Sequence, residues 1–315
     1  MNKMNRLSHN TEIRNAIYSG VGIGISGNSF LLLFHIFKYI RGQRSRHIDL
    51  PIGLLSLIHL VMLIAMSLVA TDIFMPWGRW GDTTCKCVIS LYRFCRSLSL
   101  CATSLLSILQ AVTLNPRNSC LEKFKRKSPH YMLGCLLFLS VFYTFISSPL
   151  ATYITAKSNL TSPSFTYITT SCSLAPMSYS FHLTVFILLT SRDVIFVGLM
   201  LLSSGYMVTF LGRHKKQSQF LHITSFSLKP SAEKRAMRTI LCLMSFFVLM
   251  YTLDSIVSYI RSIDDGQIFY CVHIFTAHGY ATVSPFLILS TEKYIINIFR
   301  STFGRMVTII LLRNR

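Results

Sequence analysis

Seven long apolar runs dominate this chain, at about 15–40, 50–71, 84–113, 130–153, 187–212, 236–260 and 268–290. A helix needs roughly 20 apolar residues to cross about 30 Å of hydrocarbon, so each run is long enough to span. No water inside a bilayer satisfies backbone N–H and C=O groups, which leaves α-helices and closed β-barrels as spanning structures. A barrel would show short alternating segments, whereas these runs are long, the fifth being interrupted by the adjacent Arg192 and Asp193. Composition agrees: 51% of the 315 residues are hydrophobic and 13% charged, where a soluble domain carries about 25% charge. The pattern predicts an all-α membrane protein, a seven-transmembrane helix bundle over 15–290. A polar segment, 1–14, precedes it and a basic tail, 291–315, follows it.

Lys and Arg set the orientation. Arg41, Arg44 and Arg46 lie between the first two runs, and Arg117, Lys123, Lys125, Arg126 and Lys127 between the third and fourth. Arg213, Lys215, Lys216, Lys229, Lys234, Arg235 and Arg238 lie between the fifth and sixth or enter the sixth. With Lys293, Arg300, Arg305, Arg313 and Arg315 of the tail, these segments hold 20 of the 31 basic residues. The opposite side holds Lys3, Arg6, Arg14, Arg79 and Lys157. Basic loops stay in the cytoplasm, so the N-terminus is expected to be extracellular and the C-terminus cytoplasmic. The N-terminal residues lack the apolar core of a secretory signal, and the first run is expected to act as the insertion signal. Lys234 and Arg235 then open the sixth helix at a surface where anionic lipid favours them.

The net charge of +20 is accounted for by these loops. No zinc-ligand spacing, basic recognition helix or RNP-type motif accompanies it, which excludes nucleic acid as a partner. No nucleophile elbow, HExxH or P-loop occurs, so no catalytic residue, metal or cofactor is expected. No internal repeat supports an inverted-repeat transporter. Among nine cysteines, Cys85 starts the third run and Cys172 lies in the outer loop between the fourth and fifth, where disulfides persist. Cys87 and Cys271 are rival outer thiols, and spacing alone leaves the pairing open. Asn159, in the sequon Asn-Leu-Thr of the same loop, is a glycosylation candidate.

Charges inside the runs mark candidate sites, because ionisable groups in hydrocarbon are costly and face a bundle interior or cavity. Arg93 and Arg96 are three apart and share a helix face. Arg93 is eight residues past Cys85, or about 12 Å down the helix. Asp254 falls in the outer part of the sixth run. Two readings stand: an internal ion pair joining Arg93 or Arg96 to Asp254 or Asp193, or a cavity with a positive floor for a small anionic or polar-headed ligand. The candidate pocket set is Tyr92, Arg93, Arg96, Asp193, Tyr251 and Asp254. The scattered His35, His59, His273 and His278 read as hydrogen-bonded structural groups.

The motifs resemble one superfamily and then one branch of it. Seven spans, a Cys at the top of the third, a Cys in the second outer loop and Gly27-Asn28 in the first resemble a G-protein-coupled receptor. The rhodopsin-like Asp/Glu-Arg-Tyr is replaced by LQAVTLNP (109–116), and Asn-Pro-x-x-Tyr by SPFLIL (284–289). CKCVISLYRFCRSLSLCATSLLSILQAVTLNP (85–116), SRDVIFVGLM (191–200), SAEKRAMRTIL (231–241), YTLDSI (251–256) and VSPFLIL (283–289) closely resemble the vomeronasal type-1 receptors. That resemblance implies a plasma-membrane receptor of vomeronasal sensory neurons, sensing small-molecule pheromones and coupled to an inhibitory-type heterotrimeric G protein. It also implies a Cys85–Cys172 bridge and a sugar on Asn159. The expected docking residues are Gln110, Arg213, His214, Lys234, Arg235 and Arg238. The arginines lean the ligand toward sulfated steroids or other small anionic amphiphiles. The alternatives are a bitter-taste-like or other chemosensory seven-helix receptor and, further off, a transporter.

Overall fold

A computed structural model describes residues 11–42, 49–74, 78–113, 122–156, 166–221, 232–263 and 267–290. Among them are seven long helices: α1 Thr11–Ile40, α2 Asp49–Phe74, α3 Asp82–Thr113, α4 Glu122–Thr152, α5 Tyr179–Leu221, α6 Ala232–Ile263 and α7 Gln267–Leu289. Each apolar run falls on one helix, and several helices extend past their run into polar sequence. Five of them, α1, α2, α3, α5 and α7, are long and apolar enough to cross a membrane. α4 and α6 carry shorter apolar stretches, 134–145 and 241–257.

The helices pack in a ring, α1 on α2, α2 on α3, α6 on α7 and α7 back on α1. α3 runs through the middle and touches α2, α4, α5 and α6. α4 and α5 both rest on α3 but share little contact with each other. The wedge between them bears on the site described below.

Close approach of α1 to α7 depends on glycine. A Cβ at Gly24 would lie 2.9 Å from Leu63 Cδ1 and from Thr282 Oγ1, and one at Gly27 would lie 2.9 Å from Pro285 Cγ. Lipid tails are as apolar as Leu, so membrane helices associate through such close packing and through interhelical hydrogen bonds. Asn28 supplies the second term, its Nδ2 donating to the Gly24 and Ala281 carbonyls at 2.8 Å each. The Gly27-Asn28 pair thus joins the first helix to the seventh.

Polar side chains continue this layer through the core. His59 of α2 is buried, with Nε2 2.8 Å from Ser99 Oγ of α3 and Nδ1 3.1 Å from Ser284 Oγ of α7. A neutral imidazole has one donor and one acceptor nitrogen, and two hydroxyls can serve either tautomer. Tyr280 packs edge-on against His59 and Phe247, with ring centroids 5.2 and 4.3 Å apart. Ser107 and Ser203 meet at 2.5 Å between α3 and α5. His35 and Lys38 at the far end of α1 approach Asp49 at the start of α2, at 3.9 and 2.6 Å.

The α4–α5 connection contains a feature that the sequence pattern does not announce, a three-stranded antiparallel sheet. Its strands are β1 Ile154–Ala156, β2 Thr166–Tyr167 and β3 Cys172–Leu174, in the order β1-β3-β2. Strands of two or three residues cannot stand alone in water. This sheet is anchored to the bundle instead. Cys172 is disulfide-bonded to Cys85 at the start of α3. The carboxylate of Asp72, at the end of α2, accepts the Ser171 N–H at 2.9 Å and the Ser171 hydroxyl at 2.6 Å. Asp82 Oδ1 accepts the Ala156 N–H at 2.5 Å. Ile89, Ile154, Trp80 and Leu174 pack around the disulfide.

Candidate functional site

Beneath this sheet lies a cavity of about 880 Å³ walled by α3, α4 and α5, with Tyr251 of α6 at its side. Small-ligand sites span about 300–1,000 Å³ and are mostly apolar with a few placed polar groups. Here Ile154 and Leu174 come from the sheet, Phe94 and Leu100 from α3, and Phe186 and Leu189 from α5. The polar groups are three arginines, Arg93, Arg96 and Arg192, together with Asp193 and Tyr251.

The arginines differ in what holds them. Arg96 donates to Asp254, tying α3 to α6. Asp254 also takes the Thr276 hydroxyl at 3.0 Å and lies 3.1 Å from His273 Nδ1, which brings in α7. Arg192 donates from Nε to Asp193 Oδ1 at 2.7 Å and reaches the Ser97 hydroxyl on α3. The Arg192 guanidinium lies 4.9 Å from the Tyr143 ring centroid, a cation–π distance. Tyr251 donates its hydroxyl to Asp193, tying α5 to α6. Arg93 lines the same cavity and is half-buried. Among the described residues its guanidinium makes neither an ion pair nor a hydrogen bond; only its backbone carbonyl is engaged, by Tyr143 Oη at 3.3 Å.

The intramembrane charges are divided between an ion pair and a cavity wall. An ion pair fixes helix packing, and it is Arg96 with Asp254. A cavity with a positive wall also exists, and Arg93 and Arg96 are both on it. Four of the six candidate pocket residues line it: Arg93, Arg96, Asp193 and Tyr251. Tyr92 does not. One residue is about 100° round a helix, and Tyr92, next to Arg93, packs on the hydrophobic core rather than lining the cavity. Asp254 sits behind Arg96, on a separate space of about 30 Å³ lined by Met62, Thr276 and Tyr280. Arg192 and Tyr143 are among the wall residues outside the candidate set. Arg192 was visible as a charge inside an apolar run, but nothing in the sequence aimed it at α3.

At the opposite end of the bundle, Gln110 is buried rather than presented on a surface. Leu109, beside it in the last turn of α3, is buried as well. Arg213 is exposed on α5. His214, Lys234, Arg235 and Arg238 belong to α5 and α6, but their side chains, like the whole of Asn159, lie outside the described residues.

A bundle with five apolar helices of spanning length, and a part-charged cavity roofed by a disulfide-tied sheet, define a helical membrane protein with a pocket at one end of its bundle. Residues 11–301 match the vomeronasal organ pheromone receptor family. The chain is 56% identical over 301 residues to vomeronasal type-1 receptor 48 of Mus musculus, covering 95% of this chain and 100% of that one. It is 54% identical over 312 residues to vomeronasal type-1 receptor 94 of Rattus norvegicus, covering 98% and 95%. The chain belongs to this vomeronasal pheromone receptor family, whose members are signalling receptors and not enzymes.

Proposed function

We propose that this receptor crosses the membrane seven times with its N-terminus outside, binds a small-molecule pheromone in the α3–α4–α5 cavity, and activates an inhibitory-type heterotrimeric G protein. The observation that carries the reading is the wiring of the cavity wall. Side chains facing the ligand space also bind α3 to α5 and α6: Arg192 to Ser97, Tyr251 to Asp193, Arg96 to Asp254. A ligand that prefers one arrangement of these partners shifts the population of helix arrangements by its differential affinity. Rearranged helices at the far end would admit the G protein among the basic residues Arg213, His214, Lys234, Arg235 and Arg238. Gln110 would join that surface only once the helices part.

The basic segments support a cytoplasmic location for that end. The disulfide and the Asn159 sequon then lie outside, where both modifications are made. Vomeronasal sensory neurons are the proposed site of expression, by family membership. The three arginines favour a small anionic amphiphile, a sulfated steroid being one example.

The test is ligand-dependent G-protein activation in transfected cells, read by cyclic AMP with and without a toxin that inactivates inhibitory α-subunits. A toxin-sensitive fall in cyclic AMP is expected. Ionic current or solute flux without G-protein turnover would sink the receptor reading.

A further inference from the structure

The carboxylate on the cavity wall, Asp193, and the one behind Arg96, Asp254, are both engaged. Asp193 holds Arg192 through one oxygen and the Tyr251 hydroxyl through the other. Asp254 holds Arg96 through one oxygen, and Thr276 and His273 through the other. Three guanidiniums against two carboxylates leave one formal positive charge, and the connectivity locates it on Arg93. An arginine inside an apolar helix is expensive unless it pairs, reaches water or faces a cavity. Arg93 faces the cavity, about 12 Å below Cys85 by helix rise.

Its surroundings suit an anion with an apolar body. Arg presents a planar fork that grips carboxylate, sulfate or phosphate through paired hydrogen bonds. Phe94, Phe186 and Leu189 supply apolar wall to the same cavity. The wedge between α4 and α5 stays open, and Leu91 and Phe186 on the cavity wall are exposed.

We propose that Arg93 is the recognition cation of this cavity, pairing with the single anionic head of an amphiphile whose apolar body lies against Phe94, Phe186 and Leu189. Arg96 and Arg192 are held by their own carboxylates and act as positioning residues. The inference rests on the cavity being the ligand site. The same head-group chemistry could arrive on a dissolved compound or on a bilayer lipid entering between α4 and α5.

The experiment uses the full chain in phosphatidylcholine nanodiscs. Anion and uncharged parent are compared in pairs, oestrone sulfate with oestrone and decyl phosphate with decanol, by concentration-dependent thermal stabilisation. At least one anion is expected to bind about tenfold or more tightly than its parent, the scale of a charged hydrogen-bond pair. Arg93→Gln should bring that pair to within about twofold while leaving the uncharged member's affinity in place. Arg93→Lys keeps charge without the fork and should weaken the anion alone, which keeps the idea testable if Arg93→Gln does not fold. A second arm adds phosphatidic acid to the nanodiscs. Stabilisation that needs Arg93 and abolishes the dissolved anion's advantage identifies a lipid head as the source.

A preference that survives Arg93→Gln overturns the proposal. So does an Arg93→Lys variant that weakens both members of a pair equally. The absence of any anion preference, with no Arg93-dependent effect of phosphatidic acid, overturns it too. Any of these results alongside toxin-sensitive activation by an uncharged compound removes Arg93's role and leaves the receptor reading standing. Failure of all G-protein activation counts against the receptor reading instead, whatever Arg93 binds.

Discussion

The two halves of α3 meet their neighbours with different chemistry, while α1 and α2 keep a charged contact, Lys38 with Asp49, at the far end. Towards the disulfide, the polar contacts of α3 with α5 and α6 involve charge: Arg96 with Asp254, and Arg192, itself held by Asp193, with Ser97. Towards the other end, α3 turns to neutral contacts, with Ser99 against His59 and Ser107 against Ser203. The difference tracks space. Charged side chains are long and need room, and they line or adjoin the cavity. Glycines and a buried hydroxyl occupy the tightly packed seam around α7, as at Gly24, Gly27 and Ser284. A half built on charge can exchange one partner for another when a ligand arrives. A half built on close packing can only keep its seam or part.

Substitutions can break this contrast in order of expected size. Asp254→Ala strands Arg96 inside the bundle, and removing one partner of a buried ion pair costs about 3–5 kcal/mol. Thermal denaturation of purified receptor should register it as the largest loss, and Arg96→Met combined with Asp254→Ala should recover much of it. If the double variant proves less stable than the single, the pair is not the source of the loss. Cys172→Ser removes the covalent tie between the sheet and α3 and is expected to cost about 2–4 kcal/mol. Its Asp72 and Asp82 contacts remain, so ligand affinity should weaken before the bundle unfolds.

Smaller effects probe the packed half. Gly27→Val places methyl groups against Pro285 and Phe286, and overpacking of this kind costs about 1–3 kcal/mol. It should lower stability without altering any preference for anionic ligands. Ser284→Ala removes one of two partners of His59, with an expected cost of about 1 kcal/mol. A loss as large as that of Asp254→Ala would show that the neutral layer carries as much as the charged one, and the contrast would fail.

Much of the fold was legible because the bilayer imposes a length. Seven apolar runs read directly as helices, and their ends differ from the observed ones mostly where polar residues extend a helix past its apolar core. The sheet between α4 and α5 was not legible. Its strands of two and three residues have no periodicity to read, and their stability comes from Asp72, Asp82 and Cys85, far away in sequence. The site was half legible. An Arg in an apolar run announces itself, but its partner does not: Arg93 and Arg96 lie on one helix face, and sequence offered both to Asp254.

What the sequence determined by itself, then, was the class of molecule: a chain of membrane-length helices, the cationic side chains among them, and membership of one receptor family through motifs along most of its length. Helix length, apolar content and motif are local properties of a chain. Tertiary structure alone decided which arginine owns which carboxylate, that Tyr92 and Gln110 turn inward, and that α4 and α5 leave a cavity between them on α3. Those outcomes depend on the rotation and spacing of helices packed against one another, and a shift of one residue, about 100° around the axis, would have given each of them a different answer.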